Sequence, residues 1–288
     1  MLRNPRRWHS VASLVSATIA AHALAARVQA SERLLVPAYF DPTGDTLSDW
    51  TELTNAAAAG APITVIMNPD SGPGNKAMAD YTTAISAFQA AGGKIVGYVP
   101  TDYDADAAST VETQISDYHT WYPTINGIFL DEMAGDGTSS ELSYYGGLYS
   151  YIKGLSSSLQ VIGNPGENVA KGYAAVADTL VTYENPNAGY AAQQSEHWTA
   201  SEPASLFANI VYEVPNVATM QADLTEAESQ NAGYVYFTDD GADGNPYNSL
   251  PSYFQAEVSA VPEPVAAALG MTAVAAGLLR RSRRASRV

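Results

Sequence analysis

"INGIFLDEMAGDG", residues 125–137, runs from an apolar segment straight into two adjacent carboxylates, Asp131 and Glu132, and then into glycines. Ile125 to Leu130 has the length and composition of a strand buried on both faces, as parallel sheets require. Acids do not belong inside such a strand, so the pair marks the place where it meets solvent. Side chains alternate along a strand, which puts Phe129 and Asp131 on one face and Ile128 and Leu130 on the other. If Ile128 and Leu130 pack on helices, Asp131 points inward and Glu132 opens the loop.

Seven more apolar, β-branched or aromatic runs share this form. They are "LLVPAYF" from 34, "ITVIMN" from 63, "KIVGYV" from 94, "LQVIGN" from 159, "TLVTYE" from 179, "ANIVYEV" from 208 and "AGYVYFT" from 232. Their starts lie 24–34 residues apart, with one shorter step of 20 from the fifth to the sixth. The segments between them are expected to be helical. "TLSDWTELTNAAAAG", "AMADYTTAISAFQAAGG", "STVETQISDYHTWY" and "NVATMQADLTEAESQNAG" carry apolar residues at helical spacing, and three of the four close in glycine. Strand and helix alternating eight times predict an α/β fold, a single-domain (β/α)8 TIM barrel. A doubly wound open sheet is the alternative, and no phosphate-binding glycine fingerprint supports it.

In a barrel the C-terminal strand ends form the active face. Here nearly every end is polar and turns on Pro or Gly: Asp41, Asn68, Asp102, Asp131-Glu132, Asn164, Glu184, Glu213 and Asp239. Tyr39, Tyr98, Tyr103, Tyr183, Tyr212 and Tyr236 lie near the same rim, placed either to stack on sugar rings or to fill the barrel. Two carboxylates across a barrel mouth can serve as the nucleophile or base and the proton donor of a glycosidase, and Asp131 with Glu184 is the candidate pair. Capping by Asp131, backbone binding by Glu184 and rivalry from Glu213 are the structural alternatives. "DYDADA" (102–107) fails as a calcium loop, with Ala107 and Thr113 at its sixth and twelfth positions. "DDGADGN" (239–245) could hold calcium, but turn chemistry explains it more simply. No metal or other cofactor is expected.

The ends read separately. A basic leader, an apolar run and Val28-Gln29-Ala30 predict a secretory signal peptide over residues 1–30. The globular domain is expected over 31–260. It holds 29 acids against Arg33, Lys76, Lys94, Lys153 and Lys171, a net charge near −24. Such a field repels phosphate backbones and excludes nucleic acid as a partner. The chain has no cysteine, so the exported domain must be stable through its core alone. In 261–288, "VPEP" leads into an apolar segment and "RRSRRASR". Val265 to Leu279 would span about 22 Å as a helix, short of a hydrocarbon core of roughly 30 Å. The order resembles the PEP-CTERM sorting signal of Gram-negative bacteria. That resemblance implies an exosortase as processing partner, transient membrane association through the tail, and a destination at the cell surface or extracellular matrix. A plain C-terminal anchor is the alternative.

Six segments together resemble the spherulin-4 family: "VPAYFDP" (36–42), "IMNPDSGPG" (66–74), "GYVPTDY" (97–103), "GIFLDEM" (127–133), "GNPG" (163–166) and "VTYENP" (181–186). The likeness spans roughly 34–257. It implies a (β/α)8 glycoside hydrolase acting on α-1,4-linked galactosamine and N-acetylgalactosamine exopolysaccharide by an endo, retaining route. It also implies Asp131 as nucleophile, Glu184 as general acid/base and Glu132 as a supporting carboxylate, with exchange of the first two roles open. A partly deacetylated galactosamine polymer is cationic, in keeping with the acidic domain. The competing class is a non-catalytic sugar-binding or matrix protein on the same barrel.

Overall fold

A computed structural model describes residues 32–261. The expected leader and sorting tail lie outside these residues. Eight parallel strands close into a barrel in chain order: β1 (Arg33–Ala38), β2 (Ile63–Met67), β3 (Lys94–Pro100), β4 (Gly127–Asp131), β5 (Gln160–Gly163), β6 (Thr179–Pro186), β7 (Phe207–Tyr212) and β8 (Tyr234–Phe237). β8 returns to β1 through Arg33 beside Tyr234 and Leu34 beside Val235. All eight predicted runs are strands, and the fold is the expected barrel.

The outer layer holds α1 (Leu47–Ala58), α2 (Ala79–Ala90), α3 (Ala108–Trp121), α4 (Ser139–Leu155), α5 (Val217–Ser229) and the short α6 (Phe254–Ala260). After α1 and α2 the chain turns at Gly60 and Gly92, both left-handed with φ near +100°. A reciprocal capping box between Thr138 and Glu141 starts α4.

Two crossovers depart from the eightfold expectation. Between β5 and β6 there is only a 3-10 turn, Lys171–Ala175. Between β6 and β7 there are three, Asn187–Ala192, Thr199–Ser201 and Ala204–Leu206. The first crossover is the short one noted above and opens on Pro165 and Gly166. The second is interrupted by Pro186, Gly189 and Pro203, which remove helical hydrogen bonds or rigidity.

Aromatic rings fill much of the barrel. At its base the Tyr234 hydroxyl accepts from Gln160 of β5 (3.3 Å) and from Arg33 (3.2 Å). Higher up, Phe129 stacks on Tyr98 with ring centroids 6.3 Å apart. Tyr39 lies edge-on to both Tyr98 and Tyr247, at 5.4 Å each. Gly97 has no side chain because Tyr118 of α3 packs there; a Cβ would meet its ring at 2.7 Å. The mouth of the barrel therefore sits on a floor of rings.

Candidate active site

β4 behaves as its alternation requires. Ile128 and Leu130 are buried on the outer face, and Phe129 lies beneath Asp131 on the inner one. The turn that follows is pinned from β3. The buried Thr101 hydroxyl lies 2.9 Å from the Asp131 carbonyl and 2.8 Å from that of Glu132. The Tyr145 hydroxyl accepts from the Ala134 N–H at 2.7 Å. Glu132 adopts a left-handed backbone, φ +51°, which turns the chain out of the strand.

Asn164, just beyond β5, joins the two candidate acids. Its backbone N–H donates to the Leu130 carbonyl (2.9 Å), and its carbonyl accepts from Met133 (3.0 Å). Its side-chain Nδ2 donates to Asp131 Oδ1 at 2.6 Å and also to Glu184 Oε2. Two acceptors on one nitrogen lie no more than two hydrogen-bond lengths apart, or within roughly 5.5 Å. The Tyr247 hydroxyl donates to the other oxygen, Glu184 Oε1, at 2.7 Å.

The β5–β6 loop sets Glu184 in place. The Gly166 N–H donates to Val181 (3.1 Å), and its carbonyl accepts from the Glu184 N–H (3.0 Å) and Asn185 Nδ2 (3.2 Å). Gly166 has φ +67°, and a Cβ there would lie 3.5 Å from the Glu184 Cβ. A register shift between Val181 and Tyr183 inserts Thr182 as a bulge against β7 and re-aims the tip of β6.

Burial beside the aromatic floor raises both carboxyl groups. Glu184 is pushed up to about 7, first by burial and then by the negative charge of Asp131; the Tyr247 and Asn164 donors work against this. Asp131 is also raised by burial, but hydrogen bonds from Tyr98, Asn164 and the Glu132 backbone favour its anion. Glu132 is raised by partial burial and by the charge of Asp131. Both groups thus hold a proton more readily than a free carboxyl, Glu184 up to about 7, while the donors to Asp131 oppose its rise.

A cleft of about 560 Å³ opens above the pair. Of the residues singled out by sequence, Asp131, Glu132, Asn164, Glu184, Tyr103 and Tyr212 line it. Tyr39 and Tyr98 form its floor. Six others are placed elsewhere. Asp41 accepts from the Tyr81 hydroxyl of α2 at 3.0 Å, and Asn68 Oδ1 accepts from the Gly72 N–H at 2.9 Å. Asp239 accepts from the Ser252 N–H at 2.9 Å and ties down the loop after β8. Asp102 is exposed, and its backbone N–H donates towards the Glu132 carboxylate. Glu213 is exposed beside Gly241 and Ala242. Tyr236 is fully buried below Tyr247, so of the two roles open to it core filling holds and the substrate contact does not. Tyr247 and Glu167 line the cleft without having been anticipated. Both lie in turn-rich loops, where no strand end marks them. Among the described residues no group of three or more His, Asp or Glu is placed to hold a metal ion.

Comparison with known proteins gives three findings. The model of spherulation-specific family 4 matches residues 33–261. Spherulin-4 of Physarum polycephalum is 35% identical over 237 residues, covering 80% of this chain and 70% of that protein. Among solved structures, Aspergillus clavatus Sph3 in complex with GalNAc superposes with a TM-score of 0.71 at 22% identity, covering 80% of this chain and 97% of that one. At that identity the last likeness bears on the fold.

Proposed function

The chain belongs to spherulation-specific family 4, and from that membership and the carboxylate geometry we propose that it is an exported glycoside hydrolase. The observation that carries the proposal is the single Asn164 amide shared by Asp131 and Glu184. Carboxyl groups about 5–5.5 Å apart suit a retaining mechanism, whereas inversion needs roughly 6.5–9.5 Å to admit a water molecule. The nearest oxygens, within roughly 5.5 Å of each other as bounded above, support the first class.

In the first step the Asp131 carboxylate attacks the anomeric carbon. The bond to the glycosidic oxygen breaks as Glu184 donates its proton to that oxygen, leaving a glycosyl ester on Asp131 and Glu184 as carboxylate. In the second step Glu184 takes a proton from water, the hydroxide attacks the same carbon, and the ester bond to Asp131 breaks. Both groups return to their starting states. Asn164 holds the two acids in register through the cycle. Glu132 adds negative potential beside the positive charge that develops on the sugar.

The substrate class proposed is an α-1,4-linked polymer of galactosamine and N-acetylgalactosamine, cleaved internally. The family resemblance supports it, as does the GalNAc held by the fungal structural relative. A domain charge near −24 suits a partly deacetylated, cationic chain. A signal peptide over 1–30 and a PEP-CTERM-like tail over 261–288 would bring the barrel to the cell surface or its matrix, with exosortase processing of the tail. The test is incubation of the purified protein with partly deacetylated galactosaminan, following oligosaccharide release by mass spectrometry. Release by wild type and not by Asp131→Asn or Glu184→Gln is expected. Tight binding without release would assign the barrel to a sugar-binding role instead.

A further inference from the structure

Tyr103 stands apart from the other tyrosines of the mouth. Tyr39 and Tyr98 are packed into the floor, and Tyr247 is buried and engaged with Glu184. Tyr103 is 61% exposed, one of three large apolar or aromatic side chains so presented among the described residues. The other two, Leu47 and Val217, lie at helix starts, whereas Tyr103 lines the cleft beside Asp131 and Glu132.

Its backbone is unusual in a way that packing does not explain. Asp102, Tyr103 and Asp104 have φ of +45°, +53° and +68°, three consecutive left-handed residues without a glycine. Side chains with a Cβ take this conformation at an energetic cost and normally one at a time. Hydrogen bonds hold the run. The Tyr103 N–H donates to the Glu132 carbonyl at 2.8 Å, and the Ala105 N–H to that of Asp102 at 2.9 Å. Glu132, itself left-handed, is the anchor. The strained turn is thus fastened directly to the residue after Asp131, and it fixes the backbone that presents this solvent-facing ring beside the reacting carboxylate. Strain of this kind gathers where a ligand is held.

We infer that Tyr103 is a stacking platform for a sugar ring next to the scissile linkage, at the Asp131 end of the cleft, and so sets preference for polymer over short glycosides. Tyr212, on β7 beyond Glu184, lines the opposite end. A glycan crossing the mouth from the β3 side to the β7 side would pass over Asp131 and Glu184 between the two rings. This rests on the glycoside hydrolase reading. The flat ring supplies apolar contact to the C–H face of a pyranose, and with the backbone held and only two side-chain torsions to order it is a low-entropy platform.

The test uses Tyr103→Phe, which keeps the ring, and Tyr103→Gly, which removes it at a backbone conformation that glycine prefers. Binding of galactosaminan oligosaccharides is measured by calorimetry in the Glu184→Gln background, and KM and kcat on polymer and on a short aryl glycoside in the active enzyme. Tyr103→Gly is expected to weaken oligosaccharide binding and raise the polymer KM about three- to tenfold, with a smaller change on the short glycoside. Its melting temperature should be no lower than wild type. Tyr103→Phe should restore most of the binding. Equal loss on long and short substrates, or oligosaccharide binding unchanged without the ring, would overturn the platform alone. Failure of the Glu184→Gln protein to bind any such glycan would overturn it together with the reading it rests on.

Discussion

Two arcs of one rim use the same kind of residue to different ends. At β1 and β2 the strands finish in Asp41 and Asn68. Each is committed to its own neighbourhood, Asp41 to the Tyr81 hydroxyl and Asn68 to the Gly72 N–H. At β4, β5 and β6 the strands finish in Asp131, Asn164 and Glu184, which are committed to each other above a floor of rings. A lone acid with one donor at the surface holds a loop. Two acids sharing one donor over an apolar floor cannot both ionise easily, and a proton becomes available for chemistry. The difference lies in the partner and the floor, and not in the residue type at the strand end.

The largest effect should come from Asp131→Asn, which removes the proposed nucleophile without changing its size. We expect kcat to fall by at least about 10³-fold with the melting temperature retained; full activity would break the comparison at its centre. Glu184→Gln should reduce turnover of substrates with poor leaving groups by about 10²- to 10⁴-fold. As the proposed acid, Glu184 can act in wild type only while protonated. Activity should therefore decline as pH rises through about 7, and this limb should be absent from the residual activity of Glu184→Gln.

Asn164→Ala removes the shared donor while both acids remain. Loss of alignment should lower kcat by up to about 10²-fold. The limb near pH 7 should also move upward, because the amide donor opposes the rise of Glu184. A loss of activity with no movement of the limb would mean that Asn164 supports the fold only.

Stability should follow the same proton. Glu184 is raised in the folded protein from 4.5 to about 7, so the folded state binds the proton more tightly than the unfolded chain. Its contribution is greatest below about pH 4.5 and is lost as pH rises through about 7. Glu184→Gln should therefore melt higher than wild type above pH 7, with the gap closing towards pH 4. Thermal melts across that range check the sign.

The smallest effect should be at the quiet arc. Asp41→Ala should leave kcat/KM within about twofold. It should cost about 1 kcal/mol through the lost Tyr81 hydrogen bond, or roughly 2–4 °C in melting temperature. A catalytic collapse there would show that the two arcs are not as separate as their contacts indicate.

The sequence by itself determined the barrel. Eight runs and their spacing are local properties, because burial on both faces of a parallel strand writes a continuous apolar run into the chain. It also placed Asp131 on the inner face of β4, since strict alternation operates up to that residue. Tertiary structure decided the rest. The bulge at Thr182 interrupts alternation before Glu184, so counting along β6 could not aim that side chain. Asp41 and Asp131 look alike as strand ends and part company only through Tyr81 and Asn164. Tyr236 and Tyr103 look alike as rim tyrosines, yet one is sealed in the core and the other is held out by a strained turn. Tyr247 meets Glu184 across 63 residues of chain, from a loop with no periodicity to mark it. Strand patterns record what each segment buries; which side chains meet over the mouth depends on closure of the barrel, and only the closed barrel brings them within hydrogen-bonding distance.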